Sequence, residues 1–270
     1  MAALSYMFML THTYFLQKTL GSAEIKNVEP DIFVYNIAPD LLAIHPDITS
    51  ARTHKLRRLQ TLPVEYPKAA YVIYHLLIDD LSHYGYICAE DGDAFDIHSR
   101  GYSYRKGNPL IRVIQDIHGI AGKEISCRDA VYQSHLIIEM IYDLVIVRHL
   151  RTFKTVEVMV DAIKYTVENR MEEFTETLRW LYGLEVNQIR EVMRSALLFI
   201  TQESMEQMMT IQGRMHLYQD KFGLPCNDLL LNNELNRLFE QAMDLIDDDE
   251  LFFNETAAVI KESQIISFIR

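Results

Sequence analysis

Histidine and aspartate recur at four-residue intervals in His75-Leu-Leu-Ile-Asp79-Asp80-Leu-Ser-His83. On an α-helix each residue advances about 100°, so His75, Asp79 and His83 fall within an arc of roughly 80°. Asp80 points about 100° away from Asp79, which makes it a neighbour of that face or a surface residue. The run from Ala69 to Ile78 is apolar on nearly every side, and a helix that apolar is buried. Two imidazoles and a carboxylate on a buried face need partners, because an unpaired buried charge is costly or shifts its pKa. A divalent metal satisfies all three at once. Core histidines hydrogen-bonded to nearby carboxylates do so too, and this motif alone leaves both readings open. The segment His135-Leu-Ile-Ile-Glu139-Met-Ile-Tyr-Asp143 repeats the pattern on another apolar stretch, with Asp143 one turn further on. Two such helices suggest faces that meet around something charged. Imidazole nitrogen and carboxylate oxygen without thiolate suit zinc, iron, manganese or nickel better than a Cys-rich structural zinc site.

The elements that must carry these residues are helices. Few breakers (10 Gly and 7 Pro in 270 residues) and many Leu, Ile, Met, Glu and Gln favour helix over strand. An all-α chain is expected, with a metal-binding helical core over 1–150 and a helical C-terminal part over 151–270 packed on it, or both as one continuous domain. A first helix is expected from about Leu4 to Leu20, ending near Gly21. Pro30 to Asp40, punctuated by Pro39, reads as extended or turn-rich. Pro46-Asp47 and Thr49-Ser50 are helix starts before Ala51 to Leu62. The helix with His75 follows Pro67. Tyr84 to Pro109 holds Gly85, Gly92, Gly101 and Gly107 with Arg100, Arg105 and Lys106, and reads as a long loop or flap. Helices resume near Leu110 and over Cys127 to Leu150. From Thr155 the pattern is helical throughout, with one helix from Val186 to about Met215 and a break at Gly223-Leu-Pro225. Met193, Met205, Met208, Met209 and Met215 read as core contacts, and His216 is the one clear ligand candidate in this half. Asp247 to Glu250 reads as a solvated loop or a helix N-terminus favoured by its dipole.

The formal net charge is −12. Such a chain is not built to hold duplex nucleic acid by counterion release, whereas a metal centre supplies positive charge for a small phosphate ester whatever the global balance. Cys88, Cys127 and Cys226 form no Cys-x-x-Cys pair, which points to a reducing, cytoplasmic setting. The apolar start of the chain lacks a basic leader and is not expected to be a signal peptide. No apolar stretch reaches the ~20 residues of a membrane span, since Glu139 and Asp143 interrupt the longest, so no transmembrane segment is expected.

Most of the 10 histidines precede residue 150. In chain order the candidates are His12, Asp40, His54 fourteen residues on, His75 and Asp79, His83, then His135 and Glu139. This series resembles the zinc-dependent phospholipase C family, whose fold is shared with single-strand-specific zinc nucleases. The resemblance covers roughly the first 150 residues; the fourteen-residue step and the two four-residue steps are its specific parts. It implies a multi-helix bundle, here with a long loop after the His75–His83 helix. It further implies a trimetal cluster in which Asp40, His54, His75 and Asp79 hold one metal and His83, His135 and Glu139 a second. His12 holds a third, bridged by Asp79. Asp79 and Asp40 are then the catalytic carboxylates, and the cofactor is two or three divalent ions of zinc, iron, manganese or nickel.

The chain departs from the family in three ways. Secreted members begin at a processed tryptophan that completes the third site, and none stands here, so that site is expected to be empty or differently liganded. The step from His75 to His83 is shorter than in those enzymes, and the gap to His135 is longer. His98 and His118 are candidates to replace a missing ligand. Arg100, Arg105 and Lys106 could contact a phosphate or be solvated. Of Arg52, Lys55, Arg57 and Arg58, which flank His54, one could face the site.

The leading expectation is a metal-dependent hydrolase of phosphate esters, using a metal-activated water on a phospholipid headgroup, a nucleotide or another small ester. An HD-type phosphohydrolase needs an adjacent His-Asp pair that the chain lacks. A di-iron carboxylate protein needs a Glu-x-x-His step that is also absent. The remaining alternative is a non-catalytic, metal-stabilised interaction protein, whose C-terminal helices bind a partner or form a homodimer.

Overall fold

The computed structural model describes residues 9–25, 27–58, 61–88, 98–150 and 154–262, and among these every regular element is a helix. Helix α1 (Met9–Ile25) buries Met9, Leu10, Phe15, Leu16 and Leu20 and leaves helical geometry at Gly21, φ 70°. The expected start at Leu4 lies outside the described residues. Helix α2 (Ile32–Leu42) corrects the extended reading of Pro30 to Asp40. Pro39 sits inside it and removes one backbone donor. Every residue of α2 is buried nonetheless, so tertiary packing outweighs the local proline signal. Lys68 Nζ closes its entry, 2.6 Å from both Asp31 and Glu29.

Helix α3 (Ser50–His54) starts where expected, because the Thr49 hydroxyl accepts from Arg52 N. It ends at His54 rather than running to Leu62. Helix α4 (Ala69–His83) follows Pro67 as expected and is buried on nearly all sides. Helix α5 (Tyr102–Gly107) and a 3-10 turn at Asn108–Leu110 stand inside the stretch read as a loop. Residues 89–97 of that stretch lie outside the described residues. Helix α6 (Ile111–Ile120) and the long α7 (Cys127–Leu150) complete this half.

Helices α8 (Lys154–Asn169), α9 (Met171–Tyr182), α10 (Val186–Phe199), α11 (Gln202–Met208), α12 (Ile211–Phe222), α13 (Leu229–Asp244) and α14 (Asp249–Glu262) follow. The single helix expected from Val186 to Met215 is thus three. Thr201 accepts from Ser204 N and Thr210 from Gly213 N, and each hydroxyl starts a new helix. Asp247 and Asp248 directly precede α14, so the acidic run is a helix N-terminus.

Helix α4 packs between α2 and α5, and α7 lies against α1, α5, α6 and α13. The later helices pack directly on the earlier ones: α8 on α1 and α2, α13 on α6 and α7, α14 on α4. By length and composition Cys127–Arg148 of α7 could cross a membrane, but most of it is buried inside the protein; no other described helix passes that test.

Candidate metal centre

Helix α4 presents His75 and Asp79 on one face, as their spacing dictates, and three other helices bring ligands to it. Asp40 comes from the last turn of α2, His54 from the end of α3 and His12 from α1. His75 Nε2 lies 3.2 Å from Asp79 Oδ2 and 3.9 Å from Asp40 Oδ2. His54 Nε2 is 3.4 Å from Asp40 Oδ1, 3.3 Å from Asp79 Oδ2 and 3.4 Å from His75 Nε2. On the other oxygen of Asp79, His12 Nε2 approaches Oδ1 to 3.2 Å, with its ring stacked on His75 at 3.6 Å. Asp79 thus stands between His12 on one side and His54 with His75 on the other.

A second group forms where α4 meets α7. His83 Nε2 lies 2.5 Å from Glu139 Oε1, and His135 Nε2 lies 4.0 Å from Glu139 Oε2. Asp79 and Glu139 line one cleft, together with Thr11, His12, Ser82 and Tyr142. All the candidate ligands from His12 to Glu139 are therefore brought together, in groups that include the His12–Asp79 contact implied by the resemblance.

Two glycines make the second group possible. A Cβ at Gly101 would overlap the His83 carbonyl, and one at Gly107 would lie 2.9 Å from Ser134 O, beside His135. Only glycine permits these approaches of α5 to α4 and α7. Around them Ser99 donates to His83 O, Ser103 Oγ donates to Glu139 Oε1 at 3.3 Å, and the Tyr104 ring stacks on His135 at 4.4 Å. Sequence reasoning took these glycines as loop punctuation and missed Ser103 and Tyr104. The available signal was the run Tyr102-Ser103-Tyr104 that directly follows Gly101.

Other expectations are redirected. Asp80 is a buried partner of Arg58, whose Nε donates to Oδ2 at 2.9 Å. Asp80 Oδ2 also accepts from Cys88 N, and Arg58 Nη1 donates to His54 O at 3.2 Å. The pair thereby holds the backbone of a candidate ligand. Asp143 does not join the His135–Glu139 group. It accepts from Thr11 N at 2.8 Å and pairs with Arg214 at 2.9 Å, both side chains fully buried. Lys106 turns to Asp247 and Asp248, at 3.0 and 3.1 Å, rather than to the site. His118 bonds Gln133 at 2.8 Å and His216 bonds Gln212 at 2.5 Å. His98 is exposed. None of these three histidines belongs to a metal-spaced group among the described residues.

The electrostatics are unusual for a buried cluster. His54 Nδ1 donates to Ser50 O at 2.8 Å, and a carbonyl can only accept, so Nδ1 carries a proton. In the neutral ring the Nε2 lone pair then points at two carboxylates. Burial pulls the His54 imidazole down, but hydrogen bonds and charge from Asp40 and Asp79 outweigh it and hold it well above its usual range. Burial pushes Asp79 up, yet the facing imidazoles of His75 and His12 win and keep it well below. Burial lowers His75. In the second group burial opposes the charge on His83, but Glu139 prevails and raises it to about 8. Burial, then the His83 charge, depresses His135. Among the described residues Asp40 Oδ2 and Asp79 Oδ2 are buried acceptors with no hydrogen-bond donor, a deficiency of about 1–3 kcal/mol each or more for a charged group. The chain matches no family model, no curated protein and no solved structure.

Proposed function

We propose that this chain is a metal-dependent hydrolase of phosphate esters, with a fold and site of the zinc-dependent phospholipase C type. One observation carries the reading: the Nε2 atoms of His54 and His75 face each other at 3.4 Å and both point at the carboxylates of Asp40 and Asp79, with two carboxylate oxygens left without a donor. A guanidinium or ammonium would close such a cluster permanently, whereas an imidazole can exchange its proton for an ion. Asp40, His54, His75 and Asp79 would hold one ion and His83, His135 and Glu139 another, while His12 and Asp79 would contribute to a third. The donor set fits zinc, and its carboxylates also accommodate manganese or iron. What divalent ions supply when bound is polarisation of a phosphoryl group and acidification of a water that attacks it.

The chain's own residues do the rest. Asp79 offers one oxygen to each side and is the group that two ions would share. Asp40 completes the first set from α2. The Ser50 carbonyl fixes the His54 tautomer, and the Arg58–Asp80 pair fixes its backbone. The surrounding apolar helices exclude bulk water from His75, which is fully buried. The substrate would be a small phosphate ester or a lipid headgroup. The cysteines are all free thiols, in keeping with a cytoplasmic setting.

Elemental analysis of protein purified without chelator, combined with turnover of bis(p-nitrophenyl) phosphate, tests this. About two or three metal ions per chain and turnover that a chelator abolishes are expected. Bound metal without turnover on any phosphate ester would favour a non-catalytic, metal-stabilised interaction protein. A fully folded chain that takes up no metal would overturn the reading.

A further inference from the structure

One buried hydroxyl distinguishes the two oxygens of Glu139. Helix α5 is wedged between α4 and α7, with Gly101 against the His83 carbonyl and Gly107 against Ser134. Ser103 lies between these two contacts and is fully buried. Among the described residues its hydroxyl meets Ser82 Oγ on α4 and Glu139 Oε1 on α7, the latter at 3.3 Å. An ionised carboxylate only accepts, so Ser103 donates to Glu139 and its own oxygen takes the Ser82 proton. Ser82 lines the cleft that Asp79 and Glu139 share, so this chain of hydroxyls runs from the cleft to the second ligand group.

The two oxygens are not equivalent toward an ion. Oε1 is 2.5 Å from His83 Nε2, and Oε2 is 4.0 Å from His135 Nε2. Two donors on one tetrahedral zinc, each about 2.1 Å from it, stand roughly 3.4 Å apart. The 2.5 Å pair is a hydrogen bond, too close for both atoms to hold one ion; the 4.0 Å pair is near the spacing a shared ion needs. Loading the group therefore breaks the His83–Glu139 bond. Among the described residues the donors to Oε1 are His83 Nε2 and Ser103 Oγ, so Ser103 is the donor that stays. Glu139 is 8% exposed, and a buried carboxylate oxygen without a donor is costly.

We propose that Ser103 is a positioning residue of the second ligand group: its hydroxyl, oriented by Ser82, retains Glu139 Oε1 and so presents Oε2, on the His135 side, to the ion. The inference rests on the metal-binding part of the hydrolase reading and deepens it. While the group is empty Ser103 matters little, because His83 also serves Oε1. Once the ion has taken His83, the Ser103 hydroxyl is what holds Glu139 in place. A serine that only filled space would contribute equally in both states.

The test compares the full wild-type chain with Ser103→Ala, Ser103→Thr and Ser82→Ala. It measures the urea midpoint of metal-free protein and stepwise zinc affinity by competition with a chromophoric chelator. In Ser103→Ala one zinc-binding step should weaken about tenfold or more, with the other steps and the metal-free midpoint little changed. Ser103→Thr keeps the hydroxyl and should bind zinc as the wild type does, and Ser82→Ala should weaken the same step about threefold. Zinc affinity in Ser103→Ala equal to that of the wild type would overturn the proposal, as would an equal weakening in Ser103→Thr. A wild-type chain that takes up no zinc breaks the metal reading itself, a result distinct from zinc binding that ignores Ser103.

Discussion

Asp79 and Asp80 are neighbours on α4 and both turn inward, yet their surroundings are opposite. Asp80 is gripped by the Arg58 guanidinium and by Cys88 N. Among the described residues, the ion-pair partners of Asp79 are all imidazoles. The same contrast recurs on α7, where Asp143 has Arg214 while Glu139 one turn away has His83 and His135. A guanidinium is always charged and satisfies a carboxylate permanently. An imidazole gives up its proton near neutrality and is then a ligand itself. Two kinds of buried carboxylate therefore alternate along two helices: one closed and structural, the other open to a cation.

The contrast is most sharply broken at Arg214. Arg214→Met leaves Asp143 buried without its cation and should destabilise the protein by about 3–5 kcal/mol, read as a lower urea midpoint. Adding Asp143→Leu should recover much of that loss, because an apolar pair of similar volume replaces the ion pair. Asp79→Asn should behave in the opposite way. Zinc-free stability should fall by less than in Arg214→Met, since no permanent cation is orphaned. At least one metal per chain should disappear, with kcat/KM falling by two orders of magnitude or roughly that. Normal turnover by Asp79→Asn would show that this carboxylate is not shared between ions.

A smaller effect follows from His83. Glu139 raises its imidazole from the usual 6.5 to about 8. In zinc-free protein the stability from this pair is complete below pH 6.5 and is lost as pH rises through about 8. A metal at this group must displace the same proton. Zinc affinity there should rise with pH up to about 8 and then level off, a profile that titrations between about pH 6 and 9 can read. The smallest effect is expected at Lys106, whose partners are the exposed Asp247 and the part-exposed Asp248. Lys106→Ala should shift stability by less than about 1 kcal/mol and leave substrate affinity unchanged.

What the sequence made legible was the periodic part. The i, i+4 steps of His75–Asp79 and His135–Glu139 placed ligand pairs on helix faces, because helical geometry is local. The capping hydroxyl of Thr49 marked the start of α3 for the same reason. Long-range pairings were not legible. Asp80 and Asp143 look like Asp79 and Glu139 in sequence, and only their distant arginines, Arg58 and Arg214, separate the two kinds. Pro39 signalled a break that the buried position of α2 overrode. Gly101 and Gly107 signalled a loop, whereas their missing side chains allow α5 to press on His83 and His135.

The most direct measurement is anomalous diffraction at the zinc edge from crystals of zinc-loaded protein. Peaks are expected between His54, His75, Asp40 and Asp79 and between His83, His135 and Glu139, with Asp79 touching more than one if the His12 position is filled. Zinc found only at surface histidines such as His98 or His216, with these two groups bare, would contradict shared cations at the centre.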